Sequence, residues 1–417
     1  MKKFLVWGLG LSGRSAIELL KAKGFEVYGG DDARGDDYRD YLDLVDVVVL
    51  SPGIPPKHPL WQEALKRGLE VVGELELAWR FFGGKALAIT GTDGKSTTTR
   101  LTYLMLREYY ANVEEGGNTG VPFSHIVLKN PSCLVVLEVS SFQGKTLSTF
   151  RPHLGAFLNF AEDHLDWHKN LEDYLLSKRN IFARQESEDF LLLNALQEEV
   201  RETQSKARKI YLLGEDAHGY IKDGRAYFLG EELFEVDRLK IKGKHNWHNA
   251  LFAGAMARLM DVPLEIVREV LYSFGGLPYR MEYMGVFAGV EVYNDSKSTT
   301  VQALRSALES FEDGKVVLIA GGRDKGGDFE SIRELVKRKT KSCVLIGEAK
   351  EKIAKAWQGC QVYLARDLED AVSMAFDIAV PGDVLLFSPA CASFDMFKDY
   401  KDRGNRFKDY VNSLTKP

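Results

Sequence analysis

Residues 88–101 read AITGTDGKSTTTRL, and few stretches restrict a fold more. An apolar run ends in Gly91, Thr92, Asp93 and Gly94, after which Lys95 and Ser96 open a segment free of helix breakers. Strand, glycine loop and helix in that order predict a layered α/β structure with a mainly parallel sheet. The amides of such a loop can turn toward one centre and cradle a phosphate. Lys95 adds a point charge for β/γ oxygens, and the Ser96 hydroxyl suits Mg2+. The common pattern G-x-x-x-x-G-K-[ST] has glycine where Ile89 stands. A nest of amides does not depend on that glycine, so the loop is read as a site for ATP phosphates.

The rest of the chain repeats the rhythm. KFLVW, FEVYGG, VDVVVLS, CLVVLEVS, LGAFLNF, DFLLLNA and KIYLLG read as buried strands, and GRSAIELLKAKG and HPLWQEALKRG as amphipathic helices. The alternation resumes in KVVLIAGG, SCVLIGEA and GDVLLFSPA. With 417 residues, two to four domains are expected at roughly 100–200 residues each. Glycine-containing joints near WRFFGGK and FGGLPYR divide the chain into 1–82, 83–276 and 277–417.

Charge and cysteines exclude several classes. A net charge of −5 argues against general attraction to nucleic acid or an anionic membrane. Cys133, Cys343, Cys360 and Cys391 lack C-x-x-C spacing, against a zinc site or disulfide scaffold and in favour of a reducing compartment, the cytoplasm. The N-terminal apolar run is broken by Gly8, Gly10 and Gly13, unlike a signal peptide, and no stretch approaches the ~18 apolar residues of a membrane span. No membrane insertion is expected.

Gly8, Gly10 and Gly13 form G-x-G-x-x-G between a strand and a helix, a second phosphate cradle suited to a dinucleotide or sugar nucleotide. Asp31 and Asp32 end the next strand, where a ribose hydroxyl would need an acceptor. Two cradles in one chain suggest ATP chemistry on a nucleotide-tagged substrate. A nicotinamide-dependent dehydrogenase would leave the 88–101 loop idle, and a nucleotide switch would leave the first domain unexplained.

In order along the chain, GLGLSG, SPGI, GTDGKSTTT, GGNTG, EVSSFQ, NFAEDHLDWH, SKRNIF, KGKHNWHNALFA, LPYRME, NDSKSTT, GGRDKGGDF and SPACASFDMFKDYKDRGNRF resemble the Mur ligase family. The shorter G-T-x-G-K-[ST] loop is that family's norm. Ser12, Asp93, Thr119 and Tyr400 depart modestly from it: relatives often carry Thr at 12, Asn at 93, an aliphatic residue at 119 and Phe at 400.

The resemblance implies three domains: a Rossmann-like N-terminal domain for the UDP substrate, a central P-loop ATPase-type domain, and a Rossmann-like C-terminal domain for the amino acid. It implies a monomer that uses ATP to join D-glutamate to UDP-N-acetylmuramoyl-L-alanine through an acyl phosphate. It also assigns residues. Lys95, Glu138, His164 and Lys178 would be catalytic; Ser96, Glu138, His164 and Lys178 would surround two Mg2+ ions, with Lys178 N-carbamylated. ATP would be held by Gly91, Thr92, Asp93, Gly94, Lys95, Ser96, Thr97, Asn246, Asn249, Arg280, Asp295 and Lys297. The UDP substrate would be held by Leu11, Ser12, Gly13, Asp32, Arg34, Gly53 and Asn118, and the amino acid by Thr299, Lys325, Ser393 and Tyr400. By pattern alone Lys178 reads as a surface lysine, Glu138 as a turn residue, and Lys325 and Ser393 as ordinary loop positions.

Overall fold

The computed structural model describes residues 2–214 and 216–414. Its strands form three sheets, whose inner strands include the apolar runs the sequence marks as buried. The first is parallel, with strands β1 (Lys3–Trp7), β2 (Glu26–Gly30), β3 (Val47–Leu50) and β4 (Glu70–Gly73) in the order β2-β1-β3-β4. Phe4 and Val6 face one apolar cluster and Leu5 and Trp7 the other, as period-two alternation in a sheet covered on both faces requires.

The second sheet has nine strands: β5 (Lys85–Thr90), β6 (Val113–Gly117), β7 (Leu134–Glu138), β8 (Leu154–Phe157), β9 (Phe190–Asn194), β10 (Arg208–Leu212), β11 (Gly219–Lys222), β12 (Arg225–Phe228) and β13 (Glu231–Glu235). Their order is β13-β12-β11-β10-β9-β8-β5-β7-β6. Strands β5 to β10 run parallel, so the loops leaving β5, β6, β7 and β8 open on one edge. Beyond β10 the sheet turns antiparallel through β11–β13. The sequence reading misses this extension, because strands of four or five residues with many charges carry little buried pattern.

The third sheet comprises β14 (Glu282–Phe287), β15 (Val290–Asn294), β16 (Val316–Gly321), β17 (Thr340–Ile346), β18 (Val362–Leu364) and β19 (Val384–Phe387), ordered β14-β15-β19-β16-β17-β18. Only β14 pairs antiparallel. The C-terminal helix Tyr400–Leu414 is locked to this sheet by a fully buried Arg403. Its guanidinium donates to Ser296 Oγ at 3.1 Å, to the Ser296 carbonyl at 2.7 Å and to the Cys391 carbonyl at 3.0 Å. Burial lowers its pKa to about 10.

Contacts group the chain into two compact units, residues 1–236 with 248–271 and residues 237–247 with 272–417. The first two sheets share a unit and meet through buried carboxylates. Glu76, with no exposed side-chain surface, accepts from the amides of Ser148, Thr149 and Phe150 at 3.0–3.2 Å. The hydroxyls of Ser148 and Thr149 reach it at 2.9 and 2.5 Å. Beside it, Glu74 accepts from the Ser124 amide at 2.6 Å, and burial raises its pKa.

Candidate functional site

The site begins at the C-terminal edge of the nine-stranded sheet. Strand β5 ends at Thr90, and the helix Lys95–Tyr109 starts five residues later with Gly94 at φ +79°. A methyl group on Gly94 would lie 2.2 Å from Asn249 Oδ1, so the glycine also lets the Asn249 amide approach the loop. Asn159, just beyond β8, accepts the amides of Thr92 and Asp93 on Oδ1 at 3.0 and 2.8 Å and donates Nδ2 to the Asp93 carbonyl at 2.9 Å. One loop thus clamps the other. Thr97 lies in the first turn of the same helix.

Ser96 Oγ donates to Glu138 Oε2 at 2.7 Å. Glu138 is the last residue of β7, next to β5, and is buried. Its other oxygen accepts from Asn118 Nδ2 at 3.1 Å and Thr119 Oγ1 at 2.9 Å, both on the loop after β6. Parallel pairing of β6, β7 and β5 brings these residues together from three places in the chain.

Lys95 Nζ donates to the carbonyls of Gly91 and Thr92 at 2.9 and 2.8 Å. Lys178 Nζ donates to the same Gly91 carbonyl at 2.7 Å. Lys178 lies in the helix Leu171–Arg179 and is 1% exposed, which overturns its plain reading as a surface lysine. Burial, and then the positive charge of Lys95, push its pKa well below the ordinary lysine value. The amine is therefore far easier to deprotonate than a solvated lysine.

Tyr174 sits one helical turn before Lys178, with its ring 4.8 Å from Nζ and its hydroxyl 3.1 Å from Thr92 Oγ1. Sequence reasoning missed it, although the i, i+4 spacing from Lys178 is a usable signal. His164 adopts a left-handed backbone, φ +54°, a conformation that clusters at functional sites. Its ring lies against Phe142 at 4.8 Å and Tyr174 at 5.9 Å, with Nε2 3.3 Å from Asp163. Sequence reasoning also missed His168. Its buried ring bridges Ser141 Oγ at 2.9 Å and Asp173 at 3.2 Å, tying the helix after Glu138 to the helix bearing Lys178. Burial lowers its pKa, against the pull of Asp173.

The donor set fits Mg2+. The ion takes oxygen ligands in an octahedron of radius ~2.05 Å, whose neighbouring ligands stand about 2.9 Å apart. Ser96 Oγ and Glu138 Oε2, at 2.7 Å, match one such edge. Among the described residues no group of three or more His, Cys, Asp or Glu could hold a metal alone. Phosphate oxygens and water would have to complete the shell, as is usual for Mg2+.

At the edge of the first sheet, Gly13 packs so closely that a methyl there would lie 1.9 Å from the Gly8 carbonyl. Asp31 is committed to the fold, accepting the Leu9 and Ala33 amides at 2.5 and 2.9 Å. Those bonds hold its pKa below the usual carboxylate value. Asp32, Arg34, Leu11 and Gly53 are exposed and Ser12 half-buried around the same strand ends. Asn118 lies apart from them, beside Glu138.

In the second unit, the sequence-predicted residues gather at one edge of the six-stranded sheet. Asp295, Lys297 and Thr299 follow β15, Lys325 follows β16 and Ser393 follows β19. Arg323 and Ala392 exchange backbone hydrogen bonds at 2.9 and 3.0 Å, joining the last two loops. The Tyr400 carbonyl accepts from Ser296 Oγ at 2.8 Å, and the Tyr400 ring lies 5.8 Å from Lys297 Nζ. Arg280, Lys297 and Lys325 are exposed. Asp295 is buried, with its oxygens accepting from Ser388 Oγ at 2.8 Å and the Met281 amide at 3.0 Å. Burial raises its pKa to about 7. Asn246 donates to the Lys242 carbonyl at 2.8 Å.

Comparison with known proteins agrees with this geometry. Residues 89–257 match the Mur ligase middle domain, and residues 279–391 the Mur ligase glutamate ligase domain. The chain is 55% identical to the UDP-N-acetylmuramoylalanine–D-glutamate ligase of Aquifex aeolicus and 51% identical to that of a Hydrogenobaculum species, over 98% of each chain. Among solved structures, the UDP-N-acetylmuramate–alanine ligase of Thermotoga maritima superposes with a TM-score of 0.63 over 99% of this chain and 100% of that one, at 19% identity. A MurF ligase from the same organism, solved with ADP, gives 0.59 over 88% and 96% at 16%. At such identities the solved structures speak only to the fold, but full-length identity above one half settles the family: this chain is a member of the Mur ligases.

Proposed function

We propose that the chain joins D-glutamate to UDP-N-acetylmuramoyl-L-alanine with hydrolysis of ATP to ADP and phosphate, a cytoplasmic step of peptidoglycan synthesis carried out by a monomer. The observation that carries this reading is the Gly91 carbonyl, where Lys95 and Lys178 meet beside the Ser96–Glu138 pair. A carboxylate is a poor electrophile, and ATP can activate it as an acyl phosphate that the incoming amine then attacks. Both steps crowd anions together, so catalysis rests on neutralising and aligning charge rather than on a protein nucleophile.

Each side chain then has a task. Lys95 would neutralise phosphate oxygens, and Ser96 and Glu138 would hold one Mg2+. Bound there, Mg2+ would supply charge to the transferring phosphoryl group. His164 and Lys178 would face a second ion. Lys178 suits this role as a carbamate: its neutral amine adds to CO2, forming an N–C bond and releasing a proton. The remaining N–H can still donate to Gly91 while the new carboxylate supplies anionic oxygens. Asn246, Asn249, Arg280, Asp295 and Lys297 would hold the rest of ATP, and Thr299, Lys325, Ser393 and Tyr400 the amino acid. For this division of labour, residues 1–82, 83–276 and 277–417 serve as the three domains.

The direct test is phosphate release from ATP. We expect turnover only when UDP-N-acetylmuramoyl-L-alanine and an amino acid are both present, with D-glutamate preferred over D-aspartate, L-glutamate and D-lysine. Equal turnover with the acceptor or amino acid omitted would exclude a ligase. A finer expectation concerns Thr119. Thr119→Val keeps the shape but removes one donor to Glu138, so half-maximal phosphate release should need about five- to tenfold more Mg2+, with kcat at saturating Mg2+ within about twofold. An unchanged Mg2+ titration would show that the hydroxyl does not tune the site.

A further inference from the structure

We infer that Trp7 and His58 are positioning residues for the nucleotide-linked substrate, acting through Asp32. The inference rests on the reading of Asp32 as a residue of the UDP site.

The arrangement is built into the first sheet. Trp7 ends β1 directly opposite Gly30 of β2, and its ring packs against that position. A methyl group on Gly30 would sit 2.2 Å from the ring, so only glycine lets the indole reach past β2. From there Trp7 Nε1 donates to Asp32 Oδ2 at 3.3 Å. His58 approaches the same oxygen from the loop after β3, with Nε2 3.0 Å away. Tyr38 is wedged between the two, edge to face with Trp7 and with His58 at 6.0 Å each. Trp7 is fully buried and the His58 side chain is 16% exposed, while Asp32 keeps 54% of its side chain in solvent.

The chemistry of His58 is fixed by its neighbours. It caps the helix Pro59–Lys66, its Nδ1 accepting the Leu60 amide at 3.1 Å. A nitrogen that accepts carries no proton, so the neutral ring must bear its hydrogen on Nε2 and point it at Asp32. Two N–H donors therefore hold Oδ2, and among the described residues Oδ1 has no protein partner. Asp32 becomes an acceptor with one oxygen locked and the other facing solvent, near the Gly8–Gly13 turn. The ligand chemistry this selects is an N–H or O–H donor on the uridine moiety. A preset acceptor spares the ligand the entropy of ordering the side chain.

The two duties of His58 can be separated by substitution. His58→Asn keeps an oxygen near the Nδ1 position for the helix cap but cannot reach Asp32. His58→Gln places an N–H near the Nε2 position but loses the cap. Trp7→Phe removes the indole donor and keeps most of the ring. The measurements are UDP affinity by calorimetry, KM for UDP-N-acetylmuramoyl-L-alanine, ATP and amino acid, kcat, and melting temperature, with Asp32→Asn as reference. We expect His58→Asn and Trp7→Phe to raise the UDP Kd and the KM for the UDP substrate by about fivefold. Their kcat and the other two KM values should stay at wild-type level. His58→Gln should melt earlier yet bind UDP within about twofold of wild type. If Asp32→Asn weakens UDP binding while His58→Asn and Trp7→Phe do not, the positioning role is overturned and the UDP site stands. If Asp32→Asn leaves UDP binding unchanged, the reading of Asp32 itself fails, and the positioning role with it.

Discussion

Lys178→Ala is expected to lower kcat by roughly 10²–10³-fold while leaving the protein folded. Lys178 is nearly inaccessible, donates to the Gly91 carbonyl and shares that oxygen with Lys95. A permanently charged ammonium there is unfavourable on two counts, burial and the adjacent cation, and both lower its pKa. Alanine removes that repulsion, so no large loss of stability should follow. What it removes for catalysis is the anionic oxygen that a carbamate would supply. Short carboxylic acids such as acetate or formate, diffusing into the space left by the side chain, should therefore restore part of the activity. A variant as active as wild type without added acid would refute the carbamate reading. In the native enzyme, mass analysis under gentle ionisation should find an added 44 Da, to be lost on acidification; this figure is roughly the mass of CO2 joined to an amine.

Glu76→Ala should produce the largest loss of stability, about 3–5 kcal/mol. The carboxylate has no exposed surface and accepts from three backbone amides, two hydroxyls and Arg80. Truncation would strand those donors in the interior, and the penalty of unpaired buried groups exceeds the worth of the bonds themselves. A melting temperature lower by about 10 °C is the expected readout, at ~2–4 °C per kcal/mol for domains of this size. Burial by itself would raise the pKa of Glu76, but hydrogen bonds from Thr149 and Ser148 outweigh it and leave the pKa below the ordinary value. With a depressed folded-state pKa, the contribution is fully present above ~pH 4.5, where the unfolded carboxylate is ionised. It is lost as pH falls through the lower folded value. The gap in stability between wild type and Glu76→Ala should accordingly narrow in acid. A gap that is constant from pH 7 to pH 3, or a change in melting below 2 °C, would count against this account.

These two residues mark the reach of sequence reasoning. The loop 91–96 is legible because strand, glycines, lysine and serine are contiguous and each step follows from local chemistry. Glu138 needs the family resemblance, since nothing near it reveals that parallel pairing of β5 and β7 will set it 2.7 Å from Ser96. Lys178 is harder still. Its helix has residues of every character, and its hydrogen-bond acceptor is a carbonyl 87 positions away. Nothing local marks Glu76, because its partners lie on a loop more than 70 residues later. The antiparallel β11–β13 extension is illegible for the opposite reason, its local pattern being too weak. Asp31 and Asp32 form a subtler case, adjacent carboxylates of equal promise in the sequence. Hydrogen bonding commits one to the backbone and leaves one oxygen of the other open.

Arg403 carries a practical consequence for anyone who trims this chain. A deletion that removed the helix Tyr400–Leu414 would do more than shorten the protein by fifteen residues. It would leave the carbonyls of Ser296 and Cys391 facing a hole where a cation had been. Asn294, which donates to the Gly404 carbonyl at 3.0 Å, would lose its acceptor in the same cut. Fusion partners and purification handles are better appended beyond that helix than substituted for it.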